Sequence, residues 1–120
     1  MKTIRILLAA MFAVSMVAGL TACTTENSAK VAAGIILDVR TAEEYLAGHL
    51  EGAVNIDVES EDFEQLVSQL DPAGEYQLYC RSGRRSAIAK QKMLDLGFAN
   101  VTDLGSLEEA SEATGITVIP

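Results

Sequence analysis

The apolar positions divide the chain into two unlike parts. From Ile6 to Leu20 they run almost unbroken, interrupted only by Ser15 and Gly19. Beyond about residue 34, short apolar runs alternate with segments whose apolar residues recur at helical spacing. Ile35–Val39 predicts a short buried strand. Thr41 then offers a helix N-cap, Glu44 completes a capping box, and Gly48 closes that helix. Ala53–Ile56 predicts a second strand. Ser60 caps the next helix, in which Phe63, Leu66, Val67 and Leu70 share one face, and Asp71-Pro72-Ala73-Gly74 makes a turn. Tyr76–Tyr79 predicts a third strand that runs straight into Cys80. A helix follows from about Arg84 to Leu96, with Ser86, Ala89, Met93 and Leu96 on one side and Gly97 as its stop. Val101–Leu104 predicts a fourth strand. Ser106 opens a last helix with Glu109 at the capping-box position, Gly115 ends it, and Ile116–Ile119 forms a terminal strand or tail. Strands alternating with helices predict an α/β domain with a central, mainly parallel sheet flanked by helices. Chemistry in such sheets collects beyond the carboxyl ends of the strands, which singles out the Tyr79–Cys80 junction.

The first part has a different purpose. Lys2 and Arg5 are the only charges before Glu26, and small residues follow the apolar run. A basic start, an apolar middle and a small-residue end form a secretory signal. Ile6–Ala22 reaches only the lower edge of what spans a bilayer, so an uncleaved anchor is the weaker alternative, beside a plain cleaved signal. Leu20-Thr21-Ala22-Cys23 resembles the lipobox of bacterial lipoproteins. That resemblance implies lipidation of Cys23, which becomes the first residue of the mature chain. Thr24 rather than an aspartate follows it, implying the periplasmic face of the outer membrane if the organism is Gram-negative. The chain thus divides into a signal peptide (1–22), a lipidated N-terminus and tether (23–33), and one domain (34–120) held at the cell envelope.

Composition sharpens this division. The chain's 120 residues allow a single domain, and its 49% apolar content is inflated by the signal segment. The net charge of −8 becomes −10 once Lys2 and Arg5 are removed. No basic stripe is available for nucleic acid. Of the two cysteines, lipidation of Cys23 leaves Cys80 as the sole free thiol, and an intramolecular disulfide is excluded. Against the acidic background, Arg81, Arg84, Arg85, Lys90 and Lys92 lie close together. Anionic ligands are drawn to this segment and repelled by the rest.

Cys80-Arg81-Ser82-Gly83-Arg84-Arg85 connects a strand to a helix. A cysteine there meets unpaired backbone N–H groups and the positive end of a helix dipole, both of which lower a thiol pKa. Gly83 permits a tight loop with inward amides, a nest for an anion.

These residues, with Ile36-Leu37-Asp38-Val39-Arg40, Glu44-Tyr45, Gly48-His49-Leu50, Gly52–Ile56 and Gly97–Val101, resemble a single-domain rhodanese in order and spacing from about Ile35 to Leu104. The resemblance implies the rhodanese α/β fold and sulfurtransfer through a Cys80 persulfide, with no metal and no other cofactor. It implies a small anionic sulfur donor such as thiosulfate and a thiophilic acceptor, cyanide or a thiol. Arg81 and Arg84 are expected to attract the donor, with Ser82 and Gly83 shaping the loop and Arg85 bracing it. Asp38 and Arg40 are expected to form a charged brace nearby, and the protein to act as a monomer. His49 matches a structural Gly-His segment rather than a general base. Where many members carry two glycines and a tryptophan after the fourth strand, this chain has Gly105-Ser106 and no tryptophan. That departure puts the placement of the last helix in question.

Two other classes fit less well. A related phosphatase or arsenate reductase needs five residues between cysteine and arginine. Here four separate Cys80 from Arg85, and position 86 is Ser86. A non-enzymatic persulfide carrier would use the same Cys80 and stays open at this point.

Overall fold

The computed structural model describes residues 34–120. The elements run β1 (Ile35–Asp38), α1 (Ala42–Ala47), β2 (His49–Leu50), β3 (Val54–Asn55), α2 (Phe63–Val67), β4 (Glu75–Cys80), α3 (Arg84–Asp95), β5 (Asn100–Ser106), α4 (Leu107–Thr114) and β6 (Val118–Ile119). Four strands form one sheet in the order β3-β1-β4-β5, every neighbouring pair parallel. The predicted α/β architecture is therefore present. The expectations for Cys23, the signal segment and the tether concern residues outside those described.

The central strands are buried on both faces, which explains their near-continuous apolar runs. Strand alternation divides the core. Leu37, Tyr76, Leu78 and Cys80 face α2 and α3, where they meet Phe63, Val67, Ala89 and Met93. Ile36 and Tyr79 face the other way, towards Leu50, Ala53 and Ala110. A one-residue change of register would exchange these sets. Cys80 thus belongs to the α3 side from the moment the pleat is set.

Several details depart from the sequence reading. The helix expected at Ser60 begins at Phe63, because the Ser60 hydroxyl instead accepts from the Asp62 amide in a preceding turn. Leu66 and Leu96, expected on buried faces, are 42% and 41% exposed. The helix that carries Leu66, α2, has only five residues, and Leu96 falls beyond the last full turn of α3. The strand expected over Val101–Leu104 runs from Asn100 to Ser106, with an irregularity that pairs Leu78 with Asp103 but Tyr79 with Gly105. This bulge brings Ser106 opposite Cys80. The terminal strand exists and pairs antiparallel with His49–Leu50, a two-residue partner the sequence pattern did not reveal. The last helix starts as expected, with the Ser106 hydroxyl accepting from the Glu109 amide.

Candidate active site

The site is built where β4 ends and α3 begins. Cys80 is the last residue of β4 and is fully buried. Three residues later the Gly83 amide donates to Cys80 Sγ at 2.9 Å. This closure needs Gly83 in the left-handed region, with φ of 90°. A Cβ there would also lie 3.4 Å from the Gly105 Cα, so two glycines meet at the closest point of the loop and β5. Ser86, in the first turn of α3, places its hydroxyl 3.6 Å from Sγ while donating to the Gly83 carbonyl at 3.0 Å.

These contacts set the ionisation of the thiol. Burial pushes the Cys80 pKa up, but the Ser86 hydroxyl and the amides of Ser86, Ser82 and Gly83 outweigh it. The net direction is below the ordinary thiol value. In the thiol form the S–H points to Ser86 Oγ. In the thiolate form the Ser86 hydroxyl can turn to donate to sulfur. The arrangement suits a buried sulfur anion, the species that acts as nucleophile.

The three loop arginines have unlike surroundings. Arg85 turns back to α1 and grips Glu44 with both terminal nitrogens, at 2.7 and 2.9 Å. Arg81 and Arg84 are exposed and enter no ion pair among the described residues. Arg81 lines a cleft of about 410 Å³ together with Arg40, Glu44, Ala47, Ser106, Leu107 and Glu108. Because Ser106 lies opposite Cys80 on the neighbouring strand, this cleft opens beside the thiol end of β4.

Asp38 and Arg40 form a buried ion pair behind the loop. The Arg40 Nη2 donates to Asp38 Oδ2 at 2.6 Å and to the Gly48 carbonyl at 2.6 Å. The Tyr79 hydroxyl donates to the same Asp38 oxygen at 2.8 Å and accepts from the Leu50 amide at 3.0 Å. Burial raises the Tyr79 pKa well above the usual phenol value, which keeps this bridging proton in place. One carboxylate therefore joins β1, β2 and β4 directly under the site. His49 is committed elsewhere. Its ring stacks on Tyr45 at 3.7 Å, and its Nδ1 lies 2.7 Å from the Tyr45 carbonyl, which requires Nδ1 to be the donor.

The structure brings together Cys80, Arg81, Ser82, Gly83, Arg84 and Arg85 as one loop, with Asp38 and Arg40 at its base. Sequence reasoning missed three contributors. Ser86 was placed on an apolar helix face, and a polar residue there was itself the sign of a buried partner. The strand pattern reveals nothing of the Tyr79 hydroxyl. The capping-box spacing reveals only the helix-start role of Glu44. Its backbone does receive the Thr41 cap, but its carboxylate serves Arg85.

A four-stranded parallel α/β domain with a buried cysteine in an amide-lined loop at the end of a central strand marks the class of rhodanese-like domains. The chain belongs to the rhodanese family: the profile of the rhodanese-like domain matches residues 24–113. It is similar to the thiosulfate sulfurtransferase PspE of Escherichia coli, with 30% identity over 73 residues, covering 61% of this chain and 70% of that protein. Thiosulfate sulfurtransferase 18 of Arabidopsis thaliana is 37% identical over 81 residues, covering 58% of this chain and 60% of that one. Among solved structures, the rhodanese-like domain of the Anabaena Alr3790 protein superposes with a TM-score of 0.63 at 26% identity. That match covers 72% of this chain and 98% of the domain.

The Glu44–Arg85 pair makes a prediction about acid stability. Hydrogen bonding to Arg85 holds the Glu44 carboxyl down at about 2, against an ordinary value of 4.5. A carboxyl depressed on folding contributes stability in full above the ordinary value, and that stability is lost as pH falls towards the folded value. The two side chains are 26% and 17% exposed, so solvent screening reduces the effect. Glu44→Gln is expected to remove about 1–2 kcal/mol of stability at pH 7, and little at pH 2. Urea denaturation of both proteins between pH 7 and about 2 checks this.

Proposed function

We propose that this protein is a sulfurtransferase that moves sulfane sulfur from thiosulfate or a similar donor to cyanide or a thiol through a persulfide on Cys80. The observation that carries the reading is the Gly83 amide on Cys80 Sγ within a loop bearing two arginines that have no ion pair among the described residues. The Cys80 thiolate attacks the outer sulfur of thiosulfate. A new S–S bond forms, the bond within the donor breaks, and sulfite leaves with the electron pair. The persulfide anion inherits the amide nest and the Ser86 hydroxyl, which favour charge on sulfur before and after transfer. A thiolate or cyanide then attacks the outer persulfide sulfur, and Cys80 departs as thiolate. No cofactor enters either step.

Arg81 and Arg84 attract the anionic donor in this reading, since each is exposed and free of an ion pair among the described residues. Arg85 braces the loop. Asp38 and Arg40 hold β1 under it. The phosphatase reading is disfavoured by the short loop and by the fork of Arg85, which is already taken by a carboxylate.

The test is direct. Purified protein incubated with thiosulfate should gain one sulfur atom on Cys80 by mass spectrometry, and cyanide should then release thiocyanate. Cys80→Ser should lose both. A persulfide that is never turned over would indicate a carrier, and no persulfide would refute both sulfur readings. Arg81→Ala and Arg84→Ala should each raise KM for thiosulfate by about threefold to tenfold and flatten its dependence on salt. An unchanged salt profile would contradict donor attraction by these charges.

We also propose that a lipid on Cys23 holds the domain at the cell envelope through residues 24–33, working as a monomer. The support is the sequence Leu20-Thr21-Ala22-Cys23 after a basic and apolar start. One acyl chain holds only marginally, so stable anchoring needs more than one. Cys23→Ala should release the protein from the membrane fraction, and continued attachment would favour an uncleaved apolar anchor instead.

A further inference from the structure

The mechanism above gives Arg85 a bracing role but assigns no task to its partner Glu44. Glu44 and Arg85 make a two-pronged ion pair between α1 and the first turn of α3, at 2.7 and 2.9 Å. Glu44 is tied at its other end, since the Thr41 hydroxyl donates to the same Oε1 at 3.2 Å and the Glu44 amide donates back to Thr41. Arg85 sits between Arg84, exposed at the start of α3, and Ser86, at the sulfur. The Gly83 carbonyl meanwhile accepts from the Ala87 amide and the Ser86 hydroxyl. A pull on Arg85 is therefore a pull on the turn that carries the Gly83 amide and the Ser86 hydroxyl. Glu44 also lines the cleft beside the thiol, so the ion pair lies within reach of whatever enters there.

We propose that Glu44 is a positioning residue for the Cys80 loop: by gripping both prongs of Arg85 it holds the loop donors on the sulfur and withholds that guanidinium from oxyanions in the cleft. A planar fork is the group best matched to two oxygens of a tetrahedral oxyanion. Here a carboxylate already fills it. Anion recognition then falls to Arg81 and Arg84, which act as charges at the mouth and do not form a cage around the sulfur. The loop so arranged admits a small sulfur donor and discriminates against phosphate-like ligands. This inference rests on the reading of Cys80 as the reactive thiol.

Two effects of losing Glu44 oppose each other at the thiol. A freed positive charge would lower the Cys80 pKa, whereas a loosened amide nest would raise it. The positioning role requires the second to win. The experiment is iodoacetamide alkylation of Cys80 as a function of pH in wild type and Glu44→Ala, with and without inorganic phosphate. The variant's alkylation midpoint should move to higher pH. Its rate near pH 7 should fall about threefold to tenfold, following the thiolate fraction. Phosphate should protect Cys80 in the variant at concentrations several-fold lower than in wild type. A midpoint that is unchanged or lower would overturn the loop-holding half of the proposal, and equal protection by phosphate would overturn the other half. Should Glu44→Ala fail to fold by circular dichroism, Glu44→Gln carries the same readings, because it keeps the side-chain shape and removes the charge. Alkylation needs no sulfur transfer. A wild type that never forms a persulfide would refute the proposed function without touching this result.

Discussion

The contact on which the rest of the site depends is the Gly83 amide against the Cys80 sulfur. To make it, the chain must leave a parallel strand and enter a helix within three residues. An amide aimed back at the strand end needs a left-handed residue at the turn, and Gly83 supplies it. The turn in turn needs space beside it. The irregularity in β5 brings Gly105 to that place and Ser106 opposite Cys80. A regular β5 would present another residue to the loop. The sheet, its bulge and the helix start are thus one construction around a single sulfur atom.

Charge is distributed to the same end. The chain is acidic, with a net charge of −8, yet its cysteine loop is basic. Counting arginines overstates what an incoming anion meets. Arg40 is neutralised by Asp38 in a buried pair, and Arg85 by Glu44 in a partly buried one. Arg81 and Arg84 remain. A fully buried pair such as Asp38–Arg40 does little for net stability, since desolvation offsets most of its attraction. The value of both pairs lies in fixing geometry. Asp38 shows this best, because its carboxylate holds Arg40 and the Tyr79 hydroxyl together, and Tyr79 in turn holds the Leu50 amide.

The local parts of the fold and site were legible in the sequence. The four sheet strands, the caps at Thr41 and Ser106, and the cysteine loop all depend on neighbours within a few positions. The misses share a cause. His49–Leu50 forms a strand because Val118–Ile119 comes to it from the far end of the chain, and two residues carry no periodic signal of their own. Leu66 and Leu96 had the right spacing, but a five-residue helix and a helix end cover less core than a full-length face would. The Ser60 turn shows a hydroxyl competing for a local amide and delaying the helix.

By itself, the sequence determined that a lone thiol beyond a buried strand would meet amides and arginines in one short loop, because those residues are consecutive. It also determined that β1 would be a buried strand, since a continuous apolar run can only be accommodated with both faces covered. Only the tertiary structure decided which arginines are paired among the described residues. Glu44 is 41 residues from Arg85, and Tyr79 is 41 residues from Asp38. Such partners meet through the order of strands in the sheet, which no local pattern encodes. The sequence placed the sulfur in its loop, and the packing of α1 against that loop decided that Arg85 is paired with Glu44.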